Sequence, residues 1–158
     1  RMVTGHPRVH SDGHNVWYEI ASRGETGHHR PVVMSRSDVN EVQLAKAAIR
    51  AGIKLLVEQA GLHETDITQV IVAGAFGNYI DLEGAVAIGM FPPLPLDRFR
   101  QVGNAAGIGA KRLLINASER QRAAALVGRL HYIELTNHED FTDRFSQAVM
   151  LTPEPWDE

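Results

Sequence analysis

The sequence predicts an α/β domain, because short apolar strands alternate along the chain with amphipathic helices. Two stretches carry most of that prediction. A long helix is indicated from Ser37 to Ile53 and onwards to Ala60, where apolar residues recur every three or four positions. A strand follows at Val70–Val72, where three β-branched residues lead into a glycine-containing turn. Together these elements predict a mixed sheet flanked by helices.

The first 35 residues predict a strand-rich opening segment. Strands are expected at Arg8–His10, Val16–Ala21 and Pro31–Met34, and a polar loop at 22–30 separates the last two. The Asp12-Gly13 pair predicts a hairpin turn before the second strand, because a glycine there accepts the positive φ that such turns need.

Asp38 is predicted to cap the long helix, with Glu41 reaching back to complete the box, and Gly61 is predicted to end it. Gly52 inside the helix costs about 1 kcal/mol relative to alanine, which indicates that another backbone approaches closely there. The face expected to be buried consists of Val42, Ala45, Ile49, Ile53, Leu56 and Ala60.

Asp81 is predicted to cap a short helix that ends at Gly89, and the prolines within 91–97 make that segment a connector. Residues 151–158 are expected to form a flexible tail. After the connector we expect a strand at Phe99–Val102, then GNAAGIGAKRLLI, which leads into a helix, and then a further helix capped by Ser118 with Gln121. A strand is expected at His131–Leu135. Asn137 is expected to cap the last helix, in which Phe141, Phe145 and Val149 share a face.

Composition predicts a single domain over residues 1–158. The chain is 44% hydrophobic and has a net charge of −3, so it lacks the basic charge that nucleic-acid binding requires. No apolar stretch approaches the roughly 18 residues needed to cross a membrane. The chain has no cysteine, which excludes disulfides and a thiolate-held iron–sulfur cluster within these residues.

Two glycine-marked loops, VIVAGAFGNYID at 70–81 and FRQVGNAAGIGAK at 99–111, resemble one known family when they are read with the helix at 37–53. The family is the carboxy-terminal ATPase-like domain of the reductive activators of corrinoid proteins, in the actin, Hsp70 and sugar-kinase superfamily. The resemblance is densest from Ser35 to Phe91 and continues to near Met150. It implies one ribonuclease-H-like lobe of that superfamily.

The resemblance also implies a function. Complete members carry an amino-terminal [2Fe-2S] ferredoxin-like domain and use ATP with Mg²⁺ to drive reduction of a Co(II) corrinoid to Co(I). The chain is then the carboxy-terminal fragment of a longer cytoplasmic protein, whose partner is a corrinoid protein or a corrinoid-dependent methyltransferase. The intact protein could also form a homodimer.

The superfamily grips adenosine with a glycine turn of its second lobe and holds the phosphates between two lobes. Its Asp-x-Gly-Thr phosphate loop is missing here, so the catalytic residues are unknown. By resemblance, the adenosine turn corresponds to Gly74, Ala75, Phe76, Gly77 and Asn78. Further implied contacts are Glu41, Gln43 and Lys46 on the long helix, and Gly103 and Asn104 lining the cleft.

Structural explanations stand beside these assignments. The glycines after the strand could serve only a tight turn, and Gly103, Gly107 and Gly109 match neither the dinucleotide nor the P-loop fingerprint, so close helix packing is the favoured explanation for them. The lobe could then be a non-catalytic docking or dimerisation lobe that recognises the corrinoid partner.

A metal site is not predicted. His6, His10 and His14 lie four residues apart, but Pro7 and Gly13 disfavour the helix that would align them. We therefore expect the histidines to be solvated rather than metal ligands, with the His28-His29 pair in a polar loop.

Overall fold

The computed structural model of the chain describes residues 5–74, 76–135 and 137–151. The predicted α/β class is confirmed, and the described strands form two sheets, one antiparallel and one parallel. Two compact units, Arg1–Lys46 and Ala47–Glu158, are described separately below. The elements are β1 (Val9–Ser11), β2 (Val16–Ala21), β3 (Val32–Ser35), α1 (Arg36–Gln59), β4 (Val70–Ala73), α2 (Leu82–Ala87), β5 (Phe99–Gly103), α3 (Ala105–Ile115), α4 (Ala117–Val127) and α5 (Phe141–Gln147).

The first unit contains the antiparallel sheet, in the order β1-β2-β3. Each strand begins within one residue of its predicted start. Asp12 shapes the β1–β2 turn, because its carboxylate accepts hydrogen bonds from the backbone N–H groups of His14 at 2.9 Å and Asn15 at 2.7 Å. Gly13 has a φ of +94°, so the predicted Asp12-Gly13 hairpin turn is confirmed.

Ser35 and Asp38 form a reciprocal cap at the start of α1. The backbone N–H and the hydroxyl of Ser35 donate to the Asp38 carboxylate at 2.7 and 2.8 Å, and the Asp38 N–H donates to Ser35 Oγ at 3.1 Å. These bonds hold the pKa of Asp38 below its ordinary value. The predicted box of Asp38 with Glu41 is wrong, because the helix begins at Arg36 and Asp38 is its third residue.

The buried face of α1 differs from the predicted apolar stripe. Ile49 and Leu56 of that stripe are 42% and 51% exposed. The predicted face was chosen from the apolar residues only. Arg50 is nevertheless buried, because its guanidinium is paired with the Glu64 carboxylate. The residues buried along α1 are Lys46, Ala47, Arg50, Ala51, Gly52 and Leu55.

The carboxyl end of α1 has the geometry of a Schellman motif. Gly61 has a φ of +68° and its N–H donates to the Glu58 carbonyl at 2.9 Å, while the Leu62 N–H donates to the Val57 carbonyl at 3.1 Å. The predicted stop at Gly61 is therefore confirmed.

Gly52 lies where a side chain packs against α1. A Cβ at Gly52 would stand 3.3 Å from Leu135 Cδ1, which is closer than ordinary van der Waals contact. The predicted approach of another backbone is therefore wrong, because the close contact comes from the Leu135 side chain.

The second unit is built around the parallel pair of β4 and β5 and a small apolar core. The rings of Phe91 and Phe99 lie 5.7 Å apart in that core, so the proline-rich connector supplies part of it. Asp81 caps α2 by accepting from the Gly84 N–H at 3.0 Å, and Gly89 follows the helix with a φ of +72°. Both residues have the roles that were predicted for them.

Two predictions fail in the later helices. Asn116 caps α4 through a bond from the Ser118 N–H at 2.9 Å, because the helix begins at Ala117 and leaves Ser118 inside it. The predicted box of Ser118 with Gln121 is therefore wrong. Likewise α5 begins after Asp140, so Asn137 does not cap it.

In the last part of the second unit, some of the predicted elements are present and others are not. The segment 131–135 is not a strand, because in the described part of the chain no strand pairs with it. The rings of Phe141 and Phe145 lie 6.1 Å apart on α5, as expected, but Val149 lies beyond the helix end. The predicted flexible tail, 151–158, lies outside the described residues apart from Leu151.

Candidate functional site

The two glycine-marked loops meet at the carboxyl ends of β4 and β5. The strands run parallel, with Val70 opposite Phe99 and Ala73 opposite Gly103. The Gly74 N–H then donates to the Gly103 carbonyl at 2.7 Å, so the first residue after β4 is tied directly to the last residue of β5. Ligands of open α/β sheets usually bind at this edge, and we call the junction of residues 74 and 76–79 with 103–104 the strand-end site.

Both glycines of this bond have backbone conformations that disfavour other residues. Gly74 has a φ of +114° and Gly103 a φ of +61°. Their surroundings differ. A Cβ at Gly103 would stand 3.0 Å from Asn78 Nδ2, whereas a Cβ at Gly74 would meet none of the described atoms within 4 Å. The described residues therefore leave the space beside Gly74 open.

The chain continues from Gly74 into a short 3₁₀ turn, Phe76–Tyr79. Gly77 is buried in this turn, and a Cβ there would stand 3.2 Å from Val72 Cγ1. The turn therefore packs against β4 and places the exposed Asn78 amide over Gly103. Gly74, Gly77, Asn78 and Gly103 are thus brought together, as the sequence predicts. Ala75 and the side chain of Phe76 lie outside the described residues.

Sequence reasoning missed Gln101, which holds the turn from β5. Its Nε2 donates to the carbonyls of Gly77 at 2.5 Å and Ile80 at 2.8 Å. The sequence contained one indication of this role. Gln101 lies two residues before Gly103, and alternate residues of a strand share a face, so Gln101 could be expected on the same face of β5 as Gly103.

Asn104 closes the other side of the site by capping α3. Its Oδ1 accepts a hydrogen bond from the Gly107 N–H at 2.9 Å. A Cβ at Gly107 would stand 2.6 Å from Asn104 Nδ2, whereas one at Gly109 would meet no described atom within 4 Å. The expected close helix packing is therefore wrong for both glycines, because the Asn104 cap alone explains Gly107 and nothing nearby in the described residues explains Gly109.

These two glycines of α3 give a matched stability prediction. Gly107→Ala is expected to lower the free energy of unfolding by less than about 1 kcal/mol, because the new methyl group displaces the Asn104 cap and the higher helix propensity of alanine offsets only part of that loss. Gly109→Ala is expected to raise it by about 0.5–1 kcal/mol, because alanine favours the helix and has room. Urea denaturation measures both. Equal shifts for the two variants would contradict this role of Asn104.

The polar groups of the strand-end site are suited to a neutral polar ligand. Its described polar side chains are the exposed amides of Asn78 and Asn104, each with one carbonyl acceptor and an NH₂ donor, and the exposed phenol of Tyr79, which can donate or accept. The Asn104 oxygen is already used in the cap, which leaves its Nδ2 as a donor. Donors and acceptors beside an open glycine surface suit the edge of a base or a ribose hydroxyl better than they suit a phosphate.

The implied contacts on α1 belong to the first unit and do not share one face. Gln43 and Lys46 lie three residues apart, on the same side of the helix, whereas Glu41 is exposed on another side. Lys46 is only 1% exposed. Gln43 and Lys46 each already have an interaction within the chain.

The histidines do not form a metal centre in the described ranges, where no group of three or more His, Asp or Glu side chains could hold an ion. His6 and His10 instead lie against aromatic rings of β2, with ring centroids 5.6 Å from Tyr18 and 6.0 Å from Trp17. His10 lies in β1, as the strand predicted at Arg8–His10 requires. No helix in the described ranges meets the length and apolarity that a membrane crossing requires.

Comparisons with known proteins agree with one another. A sequence profile of the family described as the C-terminal domain of RACo, the ASKHA domain, matches residues 1–157. The corrinoid activation enzyme RamQ from Eubacterium limosum is 35% identical over 135 residues, which cover 85% of this chain and 23% of that protein. A solved reductive activator for a corrinoid, iron-sulfur protein matches with a TM-score of 0.81 and 28% identity, over 91% of this chain and 23% of the other.

Proposed function

The chain belongs to the family of the C-terminal ASKHA domain of RACo, and from that premise we propose that it is the nucleotide-binding lobe of an ATP-dependent reductive activator. The activator would drive reduction of a Co(II) corrinoid protein to Co(I). The chain spans 23% of the length of each of the two relatives described above, so this activity is proposed for a longer protein that contains it. A [2Fe-2S] cluster would belong to another domain, because this chain has no cysteine.

One observation carries the nucleotide-binding part of the proposal: the open surface beside Gly74, where the ends of two parallel strands are joined. Gly74 has a φ of +114°, and a Cβ there would project into space that no described atom fills. This surface fits the flat face of an adenine or ribose. The amides of Asn78 and Asn104 would supply its polar contacts.

In the proposed mechanism, these residues bind and orient the nucleoside end of ATP. The phosphates and Mg²⁺ would be held by a second lobe, because the phosphate-loop motif of the superfamily is missing from this sequence. ATP binding and hydrolysis would change how the lobes close, and would thereby couple the nucleotide to a conformation that favours uphill electron transfer. We place this machinery in the cytoplasm.

The proposal that one lobe binds the nucleoside and the other the phosphates can be tested directly. The isolated chain is expected to bind ATP with an affinity on the order of millimolar, because it contacts only the nucleoside end. It should not hydrolyse ATP, since positioning of Mg²⁺, the γ-phosphate and water needs both lobes. Calorimetry and phosphate release, with the full-length activator as the control, measure the two quantities. Turnover by the isolated chain, retained through repurification, would contradict the proposal.

A second role is favoured by the pair of helices α3 and α4, which we call the basic hairpin. Neither helix has a buried residue, and Leu114, Ile115 and Val127 are largely exposed. Five cations and one anion lie within 105–130, in a chain whose net charge is −3. This surface suits an acidic partner face with an apolar centre. The alternative function is therefore docking of the corrinoid protein, with the glycines serving only the fold. A homodimer through this surface is disfavoured, because it would set like charges against each other.

Charge reversal tests the docking role. Arg122 lines the groove between α3 and α4, and Arg100 is an exposed arginine of β5. Arg122→Glu in the full-length protein is expected to weaken binding of the corrinoid protein by about tenfold at low salt, and Arg100→Glu by less than about twofold. Surface plasmon resonance at two salt concentrations measures both. If the two variants lost the same affinity for the corrinoid protein, the change in overall charge would explain both losses, and docking at the basic hairpin would be contradicted.

A further inference from the structure

Gln101 makes a pair of hydrogen bonds that bracket the 3₁₀ turn of the strand-end site. A glutamine amide carries two N–H groups, and here one reaches the Gly77 carbonyl at 2.5 Å and the other the Ile80 carbonyl at 2.8 Å. Gly77 lies inside the turn and Ile80 directly follows it.

These bonds determine where Asn78 stands. Asn78 lies between the two bonded carbonyls, and its Nδ2 is 3.0 Å from the position that a Cβ on Gly103 would take. The turn is also tied to Gly74, whose carbonyl accepts from the Gly77 N–H at 3.1 Å. Release of the Gln101 amide would therefore loosen both Asn78 and the residue beside the open surface.

From this geometry we propose that Gln101 is a positioning residue for nucleoside binding, acting through the turn without touching the ligand itself. The proposal rests on the nucleotide-binding function proposed above. Glutamine suits the role because both of its bonds need a donor. A glutamate of the same shape would present acceptor oxygens to two carbonyl oxygens, and a leucine would leave both carbonyls to water.

The test compares Gln101 variants in the full-length activator by calorimetric titration with ATP and, separately, with adenosine. We expect Gln101→Glu to weaken both ligands by a similar factor, about tenfold, because the loss lies at the nucleoside end. We also expect KM for ATP to rise while kcat at saturating ATP stays within about twofold, since the turn does not reach the phosphates. Loss of a residue that only supported the fold would not raise KM for ATP while leaving kcat unchanged.

Two further variants complete the comparison. Arg100→Leu changes the exposed neighbour of Gln101 on β5 and should leave both affinities unchanged. Gln101→Lys keeps an N–H donor and is expected to bind adenosine within about threefold of the original protein. This variant also tests the proposal if Gln101→Glu does not fold. A folded lysine variant whose affinity for adenosine is reduced by about tenfold or more would overturn the proposal.

The outcomes separate the two claims. If the unaltered activator binds neither ATP nor adenosine, the nucleotide-binding function is wrong. If it binds both and folded Gln101→Glu binds them equally well, that function stands and the role of Gln101 is wrong. A loss for ATP without a loss for adenosine would also overturn it, because the effect would then lie at the phosphates.

Discussion

Replacement of Glu64 by glutamine is expected to lower the free energy of unfolding by about 2–3 kcal/mol. Glu64 accepts two bonds from the Arg50 guanidinium, one between Nη1 and Oε1 and one between Nη2 and Oε2 at 2.8 Å. The Arg50 side chain is only 5% exposed. Glutamine keeps the shape of Glu64 but removes its charge, so the buried guanidinium loses its two charge-assisted bonds to Glu64. Urea denaturation at neutral pH measures the loss.

The chain offers a matched control for that substitution. Glu58 also pairs with an arginine, Arg144, at 2.9 Å, but both side chains of this pair are more than a third exposed. Water and salt screen such a pair, so Glu58→Gln is expected to cost no more than about 1 kcal/mol. Similar losses for the two variants would show that the burial of Arg50 does not set its dependence on Glu64.

Replacement of Gly74 by valine in the full-length activator is expected to weaken ATP binding by at least about tenfold, equivalent to roughly 1.4 kcal/mol. The valine side chain would project into the open space that we assign to the nucleoside. The φ of +114° also makes valine strained at this position, so stability should fall as well. Calorimetric titration gives the affinity, and a thermal melt of the same sample gives the fraction that is folded.

Gly61→Val separates strain from occlusion. Gly61 also has a positive φ, +68°, and open space where a Cβ would stand, but it lies at the end of α1 rather than in the strand-end site. The control should lose stability and keep its affinity for ATP. If the Gly74 variant remains folded and binds ATP as tightly as the control, the open surface beside Gly74 is not the nucleoside site.

The turns and the parallel strands could be predicted because their signals are local. Val70–Val72 gives β4, and the glycines at 74 and 103 mark the residues where each strand ends. Asp81 and Gly61 likewise cap helices through bonds to residues no more than four positions away. Such features depend on a few neighbouring residues, which a sequence displays directly.

The buried face of α1 could not be predicted in the same way. Its hydrophobic pattern indicated Ile49 and Leu56, whereas the structure buries Arg50 because of a carboxylate 14 residues away. Gln101 was missed for a related reason, since its partners Gly77 and Ile80 are more than 20 residues distant. Polar groups become buried or fix a turn only through partners that the fold brings to them.

Shifted caps account for several smaller errors. Ser35 with Asp38 and Asn116 with Ser118 each place the helix start a few residues before the predicted one. Both regions contain more than one residue type that can cap a helix, and the sequence pattern does not decide among them.

A crystal structure of the full-length activator with Mg²⁺ and a non-hydrolysable ATP analogue would show whether the strand-end site binds the nucleoside end of ATP. We expect the adenine or ribose to lie in van der Waals contact with Gly74 and within hydrogen-bond distance of Asn78 or Asn104, with the phosphates directed away from α3. A nucleotide bound elsewhere, with the surface beside Gly74 empty or covered by protein, would contradict it.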